Sequence, residues 1–350
     1  MGLPGGTINE TYSQDMAIVR TRLQWILLAA FLILLFASPQ FLDDYWLSII
    51  NGMAITLVAV FGLNILYGYC GQLNLGQAAF MMVGAYASAI VIERFGLNFW
   101  ASIPFAILGT ALIGMLFGLP ALRVKGVYLI ITTLSAQFII TWVIIHGGDI
   151  THITYGIPVP RPTLGNIVFD TEAEYFYLII PITLLMGFFA KNIARSRVGR
   201  AFIAIRDNDL AAEGMGVNLF YYKTLAFFLC ATYAGVAGCL WTNYVGIAHF
   251  EHYSFWDSVW MLGMIIVGGG GSAMGPVFGT ILIKGLKEFV VYLAPAVAMA
   301  IPAIGAQFSA AGGMILLSLI IMLFLIFEPR GINHRWEMFK HTYRLFPFSH

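Results

Sequence analysis

Two runs of glycine and carboxamide residues are the first places where this sequence could do chemistry. Gly68-Tyr69-Cys70-Gly71-Gln72-Leu73-Asn74-Leu75-Gly76-Gln77 separates two strongly apolar stretches, and Gly268 to Pro276 separates another two. Gly71 and Gly76 have the same five-residue spacing as Gly270 and Gly275. Glycine adopts backbone angles that other residues avoid. The amides of Gln72, Asn74 and Gln77 can satisfy backbone groups freed where a helix breaks. Non-helical backbone at membrane depth survives only when buried in protein or lining a wet cavity, and interrupted hydrophobic segments in both halves of a chain point to a transport pathway. Two readings stay open. Either these residues line or gate a pathway, or their small size lets helices approach closely. The first break follows the second apolar span and the second break follows the third span of its half, so no clean inverted repeat is expected.

A third group is charged. Residues 191–223 hold Lys191, Arg195, Arg197, Arg200, Arg206 and Lys223, a third of the 18 basic residues. Within them, Asp207, Asn208 or Asp209 can cap a short helix by accepting its orphan N–H groups. Leu210-Ala211-Ala212-Glu213 continues it, and Gly216 can end it in a left-handed turn. The product is a short amphipathic helix flanked by charge. It is either a solvated connector with membrane-hugging arginines or a knob that fits a groove on a soluble partner.

Other reactive constellations are missing. No G-x-x-x-x-G-K-[ST] loop cradles a nucleotide, and neither a G-x-S-x-G elbow nor H-E-x-x-H occurs. His249-Glu251-His252 could suggest a metal site, but it sits in a short loop without further ligands. Cys70, Cys230 and Cys239 have no CxxC spacing and read as small hydrophobes packed between helices. Inside the apolar spans only Lys284, Lys287 and Glu288 are charged, and Lys284 and Glu288, spaced i, i+4, suit a local ion pair. Ion-coupled carriers need titratable or anionic groups at mid-membrane. A pump without those groups or a nucleotide site must borrow energy from another chain; otherwise it is a passive channel.

The elements that must position these residues follow from composition. The 350 residues are 60% hydrophobic and only 10% charged, whereas a soluble domain carries about 25% charge. The chain reads as an all-α integral membrane protein, a polytopic bundle of about ten transmembrane helices with glycine-broken segments. Apolar runs long enough for a 30 Å hydrocarbon core lie near 24–42, 46–67, 78–93, 99–119, 126–146, 175–191, 224–245, 256–268, 276–293 and 308–327. With the N-terminus in the cytoplasm, ten spans place 14 of the 18 basic residues inside. These include Arg20, Arg22, Arg123, Lys125 and the tail residues Arg330, Arg335, Lys340 and Arg344. Asp43, Asp44, Asp149, Asp170, Glu172, Glu174, Glu251 and Asp257 then face outward. Trp46, Trp100, Trp142, Trp241 and Trp256 fall near the outer ends as an aromatic belt. A cytoplasmic N-terminal tail (1–23), a membrane domain (24–330) and a cytoplasmic C-terminal tail (331–350) complete the expected organisation. A net charge of +1 gives no case for nucleic-acid binding.

Five blocks carry a family resemblance. Ala211-Ala212-Glu213…Gly216 looks like the coupling-loop signature of ABC-importer permeases, although Glu213 here follows the alanines instead of preceding them. "GYCGQLNLGQAAFMMVGAYASA" (68–89), "RVKGVYLIITTL" (123–134), "VGGGGSAMGPVFGTIL" (267–282) and "FEPRGI" (327–332) each resemble membrane subunits of branched-chain amino acid ABC importers, LivM type. The resemblance runs from about residue 45 to 332; the outer stretch 146–165 fits more loosely. It implies an importer of leucine, isoleucine and valine in the bacterial inner membrane. It also implies a second homologous permease subunit, two cytoplasmic ATPases that hold ATP and Mg, and an external amino-acid-binding protein. The chain itself would carry no cofactor and hydrolyse nothing. On this reading Arg200, Arg206, Asp207, Asp209, Ala211, Ala212, Glu213 and Gly216 contact the ATPase, while Gly71, Gln72, Asn74, Gly76, Gln77, Gly270 and Gly275 line or gate the pathway. Urea-importer permeases of the same superfamily are similar, and a passive channel is the other alternative.

Overall fold

The computed structural model describes residues 22–120, 126–148, 151, 155–165, 167–300, 313–328 and 330–345. Arg20, Arg123, Lys125, Asp149, His152 and His350, the first 21 positions and the start of the tenth expected span lie outside them. The helices are α1 (Arg22–Ala37), α2 (Asp44–Leu63), α3 (Gln77–Phe95), α4 (Phe99–Gly118), α5 (Val127–Ile145), α6 (Glu172–Arg195), α7 (Arg197–Asp207), α8 (Asp209–Gly214), α9 (Leu219–Val245), α10 (Phe255–Gly268), α11 (Gly275–Ala300), α12 (Gly313–Phe327) and α13 (Ile332–Leu345). A π-helical turn, Asn64–Tyr69, extends α2.

Each expected span has a helix. Six of them, 44–69, 77–95, 99–118, 127–145, 172–195 and 219–245, are long and apolar enough to cross a membrane. The other four are shorter, like α10 with 14 residues, or more charged, like α11 with Lys284, Lys287 and Glu288. Local chemistry sets several boundaries. Capping boxes start α6 at Thr171/Glu174 and α10 at Ser254/Asp257, each satisfying donors that the first turn leaves open.

Helix α9 forms the centre of the bundle, against α2, α3 and α4. Its small residues allow backbones to meet. A Cβ on Gly238 would run into the Met81 carbonyl, and one on Gly84 of α3 would sit 2.5 Å from the Gly235 Cα. Between apolar helices in lipid, association rests on such close packing.

Five features differ from expectation. The 191–223 segment holds two helices instead of one, because Val198, Phe202 and Ile205 give α7 an apolar face that packs inward, burying Phe202 and Ile205. Residues 332–345 are helical, with Trp336 edge-on to Phe278 of α11 at 6.0 Å. Two pairs of two-residue strands occur. Ile157–Pro158 (β1) pairs with Ile247–Ala248 (β4), and Thr163–Leu164 (β2) with Ile167–Val168 (β3); they tie the 147–174 segment to itself and to the turn after α9. Among the described residues no ion pair joins Lys284 to Glu288. Trp46, Trp100, Trp142 and Trp256 are exposed as a belt requires, but Trp241 is half-buried.

Candidate functional site

The π turn after α2 carries Asn64, whose side-chain amide spans the two glycine breaks. Its Nδ2 donates to the Ser272 carbonyl at 2.9 Å, and its Oδ1 accepts from the Gly271 N–H at 3.0 Å. One carboxamide thus replaces two backbone bonds that the second break forgoes. Arg206, the last basic residue of α7, reaches the same point, donating from Nη1 to the Gly68 carbonyl at 3.0 Å. Asp207 holds the guanidinium from the other side, accepting from Nε at 3.1 Å and from Nη2 at 3.0 Å. Gly271 has φ +78°, and a Cβ there would sit 2.8 Å from both Arg206 Nη1 and the Gly68 oxygen. Only glycine fits that meeting point. The 327–332 block joins it as well, because the Arg330 carbonyl and the Asn333 side chain lie against Gly269.

After Gly71 the chain climbs back beside α2 before α3 begins. Gln77 Nε2 donates to the Ala59 carbonyl at 2.9 Å, ten residues and roughly 15 Å above the end of the π turn. The open N–H groups at the start of α3 are met by side chains from elsewhere. Leu75 N–H donates to Thr133 Oγ1 (3.1 Å), Ala78 N–H to Ser258 Oγ (2.9 Å) and Ala79 N–H to Gln137 Oε1 (2.9 Å). Asn74 accepts from Gly76 N–H at 2.8 Å and donates to Gln77 Oε1 at 3.2 Å, while Cys230 donates to the same oxygen at 3.1 Å. Asn74 and Gln77 are fully buried, so they hold the broken backbone in place and do not face open space. This is the satisfaction that irregular backbone between apolar helices requires.

The expected candidates divide accordingly. Gly71, at φ +72°, packs against the Arg206 side chain, and Gly270 lies against Gly68. Gly275 opens α11, its N–H bonded to Ser272 Oγ at 2.9 Å. Gly76 sits higher, against the Thr133 carbonyl; half-buried Gln72 donates from its side chain to the Cys70 carbonyl at 3.4 Å and from its backbone N–H to the Leu66 carbonyl at 3.0 Å. In the basic segment Asn208 supplies the cap of α8, accepting from Ala211 N–H at 3.1 Å; Gly216, at φ +86°, follows its end. Ala212 is buried, while Ala211, Glu213 and Arg200 are exposed, Arg200 reaching only the Arg195 carbonyl at 3.4 Å. Asp209 pairs with Lys223 of α9 at 3.4 Å, and Lys223 is only 2% exposed. Cys70, Gly71, Arg206, Asp209 and Lys223 line a cavity of about 350 Å³ between the first break and α8.

Breaking a buried ion pair by removing one partner costs about 3–5 kcal/mol. Lys223→Met is therefore expected to lower the melting temperature of the purified protein by several degrees and to loosen α8 from α9. An unchanged melting curve would count against the pair as a tie.

Sequence reasoning missed Asn64, Thr133, Gln137 and Ser258, and it counted Lys223 only among the basic residues of 191–223. Their shared signal is a polar side chain inside a strongly apolar helix, and Thr133 and Gln137, spaced i, i+4, lie on one face of α5. It also missed Leu210 and Met215, which are 71% and 86% exposed at either end of α8. Among the described residues no three His, Cys, Asp or Glu side chains are grouped as metal ligands; His249 and Glu251 approach each other at 3.9 Å.

The sequence model of the family described as "Branched-chain amino acid transport system / permease component" matches residues 45–327. The chain is 30% identical over 291 residues to the high-affinity branched-chain amino acid transport system permease protein LivM of Escherichia coli, covering 76% of this chain and 68% of that one. It is 24% identical over 317 residues to the permease protein BraD of Pseudomonas aeruginosa, covering 85% and 98% of the two chains. It is 23% identical over 268 residues to the permease protein LivH of Escherichia coli, covering 71% and 85%. No solved structure matches.

Proposed function

The chain belongs to the branched-chain amino acid transport permease family, and from that premise we propose that it is the translocation subunit of an ATP-driven importer for leucine, isoleucine and valine. The match over residues 45–327 carries this reading. In the membrane it pairs with a second, homologous permease; two ATPases in the cytoplasm hold ATP and Mg and supply the energy, and an external protein delivers the amino acid. Ten helices cross the plasma membrane with both ends in the cytoplasm, an arrangement supported by the basic residues of 191–223 and 330–344.

The proposed mechanism follows from the contacts at Arg206. α8 presents Leu210 and Met215 to the ATPase, and α7 joins it to Arg206. Closure of the ATPases pushes α8, and Arg206 passes the displacement to Gly68 and Gly271, the ends of two broken helices. Such breaks are natural hinges, since their backbone bonds run through side chains and not through an unbroken helical ladder. The chain does no hydrolysis itself.

Uptake of labelled leucine by proteoliposomes holding the assembled importer tests the function. ATP-dependent leucine uptake is expected; uptake that ignores ATP, or transport of urea in place of leucine, would refute it. Leu210→Ser with Met215→Ser is expected to reduce co-purification of the ATPases about tenfold, as removal of central apolar anchors does in other interfaces. Undiminished co-purification would move the docking surface elsewhere.

A further inference from the structure

A second cavity, of about 320 Å³, lies away from the junction, between α10, α11 and the start of α3. Its walls are mostly apolar, with Met81, Met264, Ile283 and Val290 among them. Two donors set it apart. Lys284, half-buried, lines it and makes no ion pair or hydrogen bond with any described residue. Trp241 also lines it, and its indole Nε1 is buried with no acceptor among the described residues. A half-buried ammonium with no carboxylate in ion-pair contact is costly, and an ionisable group within a membrane span marks a functional site by default. A buried N–H without an acceptor adds to the same deficit. An anionic acceptor in the cavity is what each of these donors lacks.

We propose that this cavity is the seat of the transported amino acid within the permease, with its α-carboxylate on Lys284 Nζ and Trp241 Nε1 and its aliphatic side chain against Met81, Met264 and Ile283. The proposal rests on the importer reading and extends it to a place in this chain. Asp257, on the cavity wall at the first turn of α10, supplies the negative charge that an α-ammonium needs. His252 and Tyr253 are the remaining titratable groups on the wall besides Lys287; burial, then the nearby His249, hold the His252 imidazole below the ordinary range. A molecule without a carboxylate, such as urea, leaves both donors unmet. The seat is also mechanically placed: Lys284 lies nine residues, roughly 14 Å, along α11 from Gly275 at the junction. α10, the opposite wall, ends at Gly268 of the same break.

The test uses the whole importer, with its ATPases and binding protein, in vesicles of phosphatidylcholine alone or with phosphatidylglycerol. Leucine uptake is read against ATP hydrolysis. Lys284→Gln is expected to lower uptake about tenfold or more in both lipids, since a hydrogen bond to a charged group is lost. Hydrolysis stimulated by the leucine-loaded binding protein is expected to persist, and Lys284→Arg to keep most of the uptake. Wild-type uptake in Lys284→Gln would overturn the proposal. A loss confined to vesicles with phosphatidylglycerol would also overturn it, assigning Lys284 to a lipid phosphate. If Lys284→Gln does not assemble, Trp241→Phe decides: uptake about fivefold lower is expected, and unchanged uptake would overturn the seat. Failure of the unaltered importer to take up any branched-chain amino acid would instead refute the function, and the two failures are distinct.

Discussion

Arg206→Ala is expected to reduce leucine uptake at least tenfold while the ATPases continue to turn over. The guanidinium is the only described side chain that bonds the Gly68 carbonyl, at 3.0 Å, and its stem fills the space against Gly71. Hydrogen bonds to charged groups contribute about 1.5–3 kcal/mol, which corresponds to roughly 10- to 150-fold in an equilibrium. Here that equilibrium is the engagement of α7 with the broken helices. Loss of the link leaves ATP-driven movement of α8 without a handle on Gly68 and Gly271, so hydrolysis and uptake separate. Arg206→Lys is expected to restore little, because a single ammonium cannot bond Gly68 while also presenting two N–H groups to Asp207. The ratio of leucine transported to ATP hydrolysed in proteoliposomes is the measurement. A normal ratio in Arg206→Ala would sink the proposed link.

Gly68→Ala is the second large effect, and it acts on folding. A Cβ at this position would run into Asn64 Oδ1 and the Gly271 nitrogen, two members of the clamp. Neither can retreat. Asn64 holds both Gly271 and Ser272, and Gly271 is confined by Arg206. Overpacking costs about 1–3 kcal/mol, and a displaced Asn64 leaves the half-buried Gly271 N–H and Ser272 carbonyl unmet, up to about 1–3 kcal/mol each where water does not reach them. Against the 5–15 kcal/mol typical of a whole folded domain, that sum is large. The yield of monodisperse protein in detergent is expected to fall severalfold. Gly52→Ala, in the same helix α2 with nothing within 4 Å of its Cβ position, is expected to leave the yield unchanged. Equal yields for the two variants would show that the junction has room the structure denies it.

Much of the helical layout was legible because its causes are local. The apolar run 99–119 becomes α4 at Phe99–Gly118, and 126–146 becomes α5 at Val127–Ile145. The short 256–268 run becomes α10 at Phe255–Gly268, started by the Ser254/Asp257 box. The cap and stop of α8 were legible for the same reason, since Asn208 and Gly216 act within three or four positions of themselves. The helix α7 before it was less visible, because its apolar face has meaning only once α9 covers it. Arg206 was read as a residue turned toward a partner, and its proximity to Gly68 lies beyond any local pattern.

Composition and periodicity alone therefore determined a greasy, charge-poor helical chain with two glycine breaks, one basic segment and no chemistry of its own. Tertiary structure alone decided that these parts meet. Asn64 bonds Ser272 across 208 positions of sequence and Arg206 bonds Gly68 across 138, and no spacing rule reaches so far. It also decided what the polar residues are for: Asn74 and Gln77 hold broken backbone, whereas Lys284 and the Trp241 Nε1 border a cavity without a hydrogen-bond partner among the described residues. The physical reason is that helix formation depends on hydrogen bonds between near neighbours. The assignment of a buried polar group depends on which distant group, or none, folding brings within 3 Å of it.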